Sequence, residues 1–221
     1  MFDHILILDT ETASIEQGVV EVAYFEVDSD FNLISKHRSL IDPECPIDPR
    51  ASGVHGLEYD DVKDAPTLSE YFGDQFKDKH VLMVGHNIQF DIRHTETVFG
   101  EVTPLCTLRL ARLQYPEAPD HKLQTLMYYL NLTKAGNHNA LDDVNTCYDL
   151  IRKVMQEADV SFMDIVKELY NPIMYEFMPF GKHRGTPMKD VPRSWLKWLS
   201  AQPDVDTDML YTMEQLGIIK R

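Results

Sequence analysis

A short apolar run that ends in two acidic residues constrains the fold of this chain more than any other feature. The stretch HILILDT is continuously apolar over residues 5–8, which is typical of a strand buried on both faces of a sheet. Because side chains alternate along a strand, Asp9 and Glu11 would point the same way, about 6–7 Å apart. Two such carboxylates are costly unless a divalent cation compensates their charge. For this pair alone, a solvated strand end is an equally good explanation.

The remaining pattern predicts an α/β fold. VVEVAYFEV and LISKHRSLI have the composition of half-buried strands, and HVLMVG that of a second fully buried strand. Helical spacing follows HVLMVG as far as Gly100, resumes at Thr107, and predicts a long helix from about Ala140. A break at Asn171-Pro172 predicts a first domain over residues 1–171 and a small α+β module over residues 172–221.

Charge is distributed unevenly along the 221 residues. The net charge is −15, but residues 1–171 carry 14 Lys and Arg against 30 Asp and Glu, whereas residues 172–221 carry 7 against 6. An acidic protein is not a typical non-specific nucleic-acid binder, so the locally basic tail needs an explanation. No apolar run approaches the length of a membrane helix, and no signal peptide is recognised. The three cysteines, far apart, favour a reduced, cytoplasmic protein.

Two further segments carry acids at predicted helix starts. Asp91 follows the strand HVLMVG in the motif GHNIQFD, and Asn87 could cap the helix that contains it. His138 precedes Asp143 by five residues, a spacing that fits a loop histidine followed by a helix capped at Asn139. Each element taken singly also fits ordinary helix capping or a surface position.

Taken together and in this order, the motifs Asp-x-Glu, His-Asn-x-x-Phe-Asp and His-x4-Asp resemble the DEDDh exonucleases. The resemblance implies a ribonuclease H-like fold, with a mixed five-stranded sheet flanked by helices. It implies two ions of Mg²⁺ or Mn²⁺, held by Asp9, Glu11, Asp91 and Asp143. His138 would be the general base, and the activity would be 3′→5′ hydrolysis of terminal phosphodiesters with release of nucleoside 5′-monophosphates.

The tail, FMPFGKHRGTPMKDVPRSWLKWL, resembles the small C-terminal module of a bacterial branch of that family, which implies DNA as the substrate, single-stranded ends first. Trp195 and Trp198, three residues apart, are interpreted as the module's own core. Ala13 and Ser14 depart from the family's usual Thr or Cys and Gly. The residues expected to contact substrate are Thr10, Thr12, His55, His86, Asn87, Phe90, Lys182 and Arg184.

Three alternatives stay open. An exoribonuclease of the same family would share the same chemistry, because recognition of the 2′-oxygen depends on loop geometry. A haloacid-dehalogenase-like phosphatase also places acids after an apolar strand, but it leaves His138 and the motif from Asn87 to Asp91 without a role. A non-catalytic nucleic-acid-binding protein on a decayed nuclease fold would not need to retain every chemical group. Protein partners are not indicated by the sequence.

Overall fold

The computed structural model describes residues 2–133, 139–202 and 205–220, and its centre is one five-stranded sheet. The strands are β1 (His4–Thr12), β2 (Val19–Val27), β3 (Leu33–Leu40), β4 (Phe76–Gly85) and β5 (Phe99–Cys106). Their order across the sheet is β3-β2-β1-β4-β5. The pairs β1–β2 and β2–β3 are antiparallel, while β4 pairs in parallel with both β1 and β5. The mixed sheet of the predicted fold class is thereby confirmed.

Helices lie on both sides of this sheet. They are α1 (Pro49–His55), α2 (Tyr59–Val62), α3 (Leu68–Phe72), α4 (Gln89–Thr95), α5 (Thr107–Gln114), α6 (Leu123–Tyr129), α7 (Ala140–Ala158), α8 (Phe162–Tyr170), α9 (Arg193–Ser200) and α10 (Thr207–Gln215). A capping box formed by Thr67 and Glu70 opens α3. Within the described residues, no helix combines the length and apolar character that crossing a bilayer requires.

The alternation of β1 decides which helix each of its residues faces. Ile5 and Ile7 belong to a core cluster with α7 and α8, whereas Leu6 and Leu8 belong to a second cluster with residues of α3 and α4. Because this alternation continues along the strand, Asp9 and Glu11 face α7. The intervening Thr10 faces α4.

One expectation about the middle of the chain is wrong. Helix α4 ends at Thr95, and Gly100 lies inside β5 instead of closing the helix. The segment from Phe99 to Cys106 instead pairs in parallel with β4. A Cβ at Gly100 would collide with the backbone carbonyl of Lys77 on β4. Glycine therefore allows a close approach of two strands here. Two short helices, α1 and α2, lie in the long connection between β3 and α3.

The C-terminal segment has its own apolar cluster, which includes Tyr175, Met188, Leu196 and Met213. The short strand expected in it is reduced to a single bridge between Phe177 and Pro187. Trp195 packs against this cluster, but Trp198 does not belong to a core, as its exposed fraction is 57%. The division into domains at residue 171 stays a prediction.

A buried ion pair connects this segment to α5. Arg109 donates from Nε and Nη2 to the two carboxylate oxygens of Asp208, at 2.6 and 2.8 Å, and the Asp208 side chain is fully buried. Arg109 also donates to the carbonyl of Leu169, and the Ile173 N–H donates to Asp208. Bidentate pairs of this kind are geometrically specific, so the segment is held in one orientation.

Candidate active site

Three carboxylates meet at the end of β1. Asp9 and Glu11 come from the strand, and Asp143 comes from the first turn of α7. One oxygen from each side chain lies within 4.8 Å of the other two. Residues separated by more than 130 positions in the chain therefore offer three oxygen ligands to one point. Hard divalent cations take such ligands.

The start of α7 is fixed by its own sequence. Asn139 caps the helix as predicted, accepting the backbone N–H of Asp142 at 3.0 Å. Gln124 of α6 then donates from Nε2 to Oδ1 of Asp143 at 3.1 Å, which orients that carboxylate. Position in the first turn also favours a negative charge, because the helix dipole is positive there.

Asp91, the fourth predicted acid, lies beside this group and is held by Thr10. Its Oδ1 accepts the Thr10 backbone N–H at 2.9 Å and the Thr10 hydroxyl at 2.7 Å. Asp91 is in the first turn of α4 and buried. That helix begins after Ile88, with Ile88 at the capping position, so the expected cap at Asn87 is wrong. Asn87 instead takes a left-handed conformation, with φ of 63°.

The acids raise one another's pKa values. Burial raises the pKa of the Asp9 carboxyl far above its ordinary range, and the neighbouring carboxylates raise it further. Burial likewise raises the pKa of Glu11 to about 7, with a contribution from the charge of Asp143. For Asp91, burial raises the pKa to about 7 although the hydrogen bonds from Thr10 act in the opposite direction. The buried carboxylates repel one another when they are ionised. A bound divalent cation would relieve this repulsion, so the cluster fits a cation site.

Glu21 is a further acid at this site that the sequence reading missed. It lies on β2 opposite Glu11, is 1% exposed, and pairs with Nε of Arg38. Its Oε2 accepts the backbone N–H of Ala140, the first residue of α7, at 3.2 Å. Glu21 therefore ties the central sheet to the helix that carries Asp143. The available signal was an acid inside an otherwise apolar strand, VVEVAYFEV.

The proposed general base, His138, lies outside the described residues, which resume at residue 139. Its role therefore stays a prediction from the sequence.

Two histidines expected to contact substrate have both ring nitrogens engaged within the protein. His86 donates from Nε2 to the carbonyl of His121 at 2.8 Å, and its Nδ1 lies 3.0 Å from the Thr107 hydroxyl. Burial lowers the pKa of His86 to about 4, so the ring is neutral at pH 7. His55 donates to the carbonyl of Thr12 at 3.3 Å and accepts the N–H of Leu57. Substrate contacts by these rings would have to use their carbon edges.

The other expected substrate contacts differ in their surroundings. Thr10 and Thr12 are buried, and the Thr10 N–H is already bound to Asp91. Phe90 is half-buried and packs on His94, with ring centroids 4.4 Å apart. Asn87 and Lys182 are exposed.

Arg184 bridges two parts of the chain. Its Nη2 donates to the carbonyl of Ala118, in the loop that precedes α6. The basic loop of the C-terminal segment therefore contacts the loop that leads to Gln124 and so to Asp143.

Two family models match the chain. One, described as Exonuclease, matches residues 6–151, a range that contains the four predicted metal-ligating acids and His138. The other, described as Putative quorum-sensing-regulated virulence factor, matches residues 166–209.

Curated relatives and solved structures give the same fold assignment. Exodeoxyribonuclease 10 of Escherichia coli is 29% identical over 207 residues, covering 87% of this chain and 89% of its own. DNA polymerase III PolC-type of Caldanaerobacter subterraneus is 23% identical over 180 residues, covering 76% of this chain and 13% of its own.

A structure of exonuclease X in complex with 5′ overhanging duplex DNA superimposes with a TM-score of 0.60 at 25% identity, covering 74% of this chain and 98% of that chain. Escherichia coli exonuclease I in complex with a dT13 oligonucleotide gives a TM-score of 0.62 at 16% identity, covering 76% of this chain and 43% of that chain.

Proposed function

Because the chain belongs to the exonuclease family whose model spans residues 6–151, we propose that it is a metal-dependent 3′→5′ exonuclease acting on DNA. It would hydrolyse the terminal phosphodiester and release a nucleoside 5′-monophosphate. The observation that carries the proposal is the meeting of Asp9, Glu11 and Asp143 within 4.8 Å inside the matched range.

The carboxylates would hold two divalent cations, Mg²⁺ or Mn²⁺. Asp9, Glu11 and Asp143 offer oxygens directly, and Asp91 would join them from α4. When bound, such ions stabilise the negative charge on the attacking and leaving oxygens of a phosphoryl transfer.

The residues of this chain would orient the reactants and move the proton. Thr10 holds Asp91, Gln124 holds Asp143, and Glu21 holds the start of α7, so the carboxylates keep one arrangement. His138 would accept the proton of the attacking water, as a neutral imidazole can near neutral pH. The water oxygen bonds to phosphorus, and the bond from phosphorus to the 3′-oxygen breaks.

DNA is the proposed substrate because the relative of similar length is named an exodeoxyribonuclease. A solved relative was bound to duplex DNA with a 5′ overhang, which presents a recessed 3′ end. Single-stranded 3′ ends are the preferred substrate in this proposal.

The test is a side-by-side digestion of matched DNA and RNA oligomers, each single- and double-stranded. Mg²⁺, Mn²⁺ and chelator would be compared, with label at either end. We expect immediate release of labelled mononucleotide from 3′-labelled DNA, a shortening ladder from 5′-labelled DNA, and no reaction with chelator. Faster digestion of the matched RNA would make the protein an exoribonuclease, and internal cuts or release from the 5′ end would overturn the polarity.

The matched variants are Asp143→Asn and Asp149→Asn, which remove the same charge from the same helix. Six residues, or about 9 Å of helix, separate the two positions. We expect Asp143→Asn to lose turnover and Asp149→Asn to retain it. Equal activity in both variants would refute the assignment of the site.

A further inference from the structure

Trp198 is a large aromatic side chain that the fold leaves in solvent. Helix α9 buries Leu196 and Leu199 against the C-terminal cluster, whereas Trp198 is 57% exposed. Exposing an indole ring forfeits a large area of apolar contact, and Trp is enriched at interfaces because its side chain has an apolar body and one polar N–H.

The ring does not stand alone. The centroids of Trp195 and Trp198 are 6.2 Å apart, and His183 packs edge-on against Trp195 at 4.9 Å. A Cβ at Gly181 would lie 3.8 Å from Trp195, so the loop from Gly181 to Arg184 runs directly over this ring. Trp195 therefore lies between the exposed ring of Trp198 and the basic loop. We call Trp198, Trp195 and His183 the aromatic platform.

The sequence around the platform is rich in cations. Residues 180–198 contain five Lys and Arg against one acid, Asp190, in a chain whose net charge is −15. Four of these cations are exposed, and none of the four forms an ion pair with any part of the chain that the structure describes: Lys182, Lys189, Arg193 and Lys197. Exposed cations in the same short segment as an exposed indole suit a polyanion that carries aromatic rings.

The platform is also connected to the carboxylate site. Arg184, next to His183, donates to the carbonyl of Ala118. The same loop continues to α6, where Gln124 contacts Asp143 at 3.1 Å. The segment between α5 and the start of α6 therefore connects the residues around Asp143 with the loop beside the platform.

We propose that the aromatic platform is a base-stacking site for single-stranded nucleic acid several nucleotides upstream of the scissile bond, with Trp198 as the stacking ring. This proposal rests on the proposed nuclease function. Base–aromatic stacking contributes about 1–3 kcal/mol per base and tolerates any sequence, which suits an exonuclease that must accept each nucleotide in turn.

The test measures binding of full-length protein to fluorescent oligo-dT of 4 and 16 nucleotides. Asp143→Asn serves as the background in all samples, with Ca²⁺, so that the oligomer survives. Trp198→Ala should weaken binding of the 16-mer by about ten-fold or more and leave the 4-mer nearly unchanged. Trp198→Phe, which keeps a ring, should recover most of the loss.

Tyr170→Ala is the control, because Tyr170 is an aromatic residue that is 78% exposed and does not belong to the platform. It should bind both oligomers as the background protein does. Indole fluorescence gives a second measurement: the 16-mer should quench it in the background protein and quench it much less in Trp198→Phe.

Equal affinity of Trp198→Ala and the background protein for the 16-mer would overturn the proposal. So would a loss of equal size with the 4-mer. Failure of the nuclease function is distinguishable, because the protein with Asp143 intact would then release no mononucleotide from either oligomer.

Discussion

Thr10 donates two hydrogen bonds to one oxygen of Asp91, from its backbone N–H at 2.9 Å and from its hydroxyl at 2.7 Å. The two residues come from β1 and from α4, the helix that follows the parallel neighbour of β1. Hydrogen bonds to a carboxylate favour its ionised form. Thr10 therefore keeps a buried acid closer to the charge state that a cation requires.

Replacement of Thr10 by valine tests this relationship. Thr10→Val removes the hydroxyl and retains nearly the same shape, so the pKa of Asp91 should rise by about one unit, equivalent to about 1.4 kcal/mol. We expect the acid limb of the pH profile of kcat/KM to move to higher pH by a similar amount. Thr10→Ser should restore the wild-type profile. An unchanged profile in Thr10→Val would contradict this role of the hydroxyl.

Metal affinity should depend on pH. The pKa values of Glu11 and Asp91 are raised to about 7, so protons compete with cations at these groups below that pH. Binding of Mg²⁺ should strengthen by up to about ten-fold per pH unit for each proton displaced between pH 6 and 7. Calorimetric titration of the chelator-treated protein at several pH values measures this slope. A flat pH dependence would show that the groups are already ionised at pH 6.

The same groups affect the stability of the metal-free protein. A carboxyl group whose pKa is raised in the folded state stabilises the fold at low pH, and that contribution is lost as the pH rises through about 7. His86, with its pKa lowered to about 4, acts in the opposite direction below about pH 6.5. The informative quantity is therefore the difference in free energy of unfolding between Glu11→Gln and wild type. In chelator, this difference should favour the variant more at pH 8 than at pH 5.

Glu21 should act as a positioning residue. Glu21→Ala leaves the buried N–H of Ala140 without an acceptor, which should lower the free energy of unfolding by about 2 kcal/mol and reduce kcat more than it changes KM. Glu21→Gln keeps an acceptor and should retain most of the activity. Glu26→Gln, on the same strand but paired with His4, is the matched control. Thermal unfolding and steady-state kinetics distinguish the three variants. An equal loss of activity in Glu21→Gln and Glu21→Ala would contradict a positioning role for Glu21.

The pair Arg109–Asp208 should dominate the attachment of the C-terminal segment. Asp208→Asn removes the charge that compensates a guanidinium in a largely buried setting, so we expect a loss of about 3 kcal/mol in the free energy of unfolding. Limited proteolysis should then cut the region after residue 171 first. Asp60→Asn, which breaks an exposed pair with Lys63, should leave unfolding and proteolysis unchanged. Equal effects of the two substitutions would show that the buried pair does not attach the C-terminal segment.

Local patterns in the sequence predicted the parts of the fold that local patterns determine. The apolar run before Asp9 forms the central strand, and the cap at Asn139 starts the helix that carries Asp143. Strand β5 was missed because its residues, FGEVTPLC, contain glycine and proline and expose several side chains. Its strand conformation depends on pairing with β4, which is a contact between distant segments.

The supporting contacts of the site could not be predicted for the same reason. Glu21, Arg38 and Ala140 meet only after three elements have packed, and no periodicity in the chain joins them. Trp195 and Trp198 show a related limit. Three-residue spacing predicted a shared buried face, but α9 buries Leu196 and Leu199 more deeply and leaves the second indole at the rim.

The placement of Asp143 on a late helix, against acids on the first strand, has a consequence for protein synthesis. About two thirds of the chain must be synthesised before all four acids exist, and their meeting includes the pairing of β1 with the distant strand β4. A nascent or prematurely terminated chain therefore carries the early acids without the cluster. A chain that stops before Asp143 therefore cannot complete the carboxylate site.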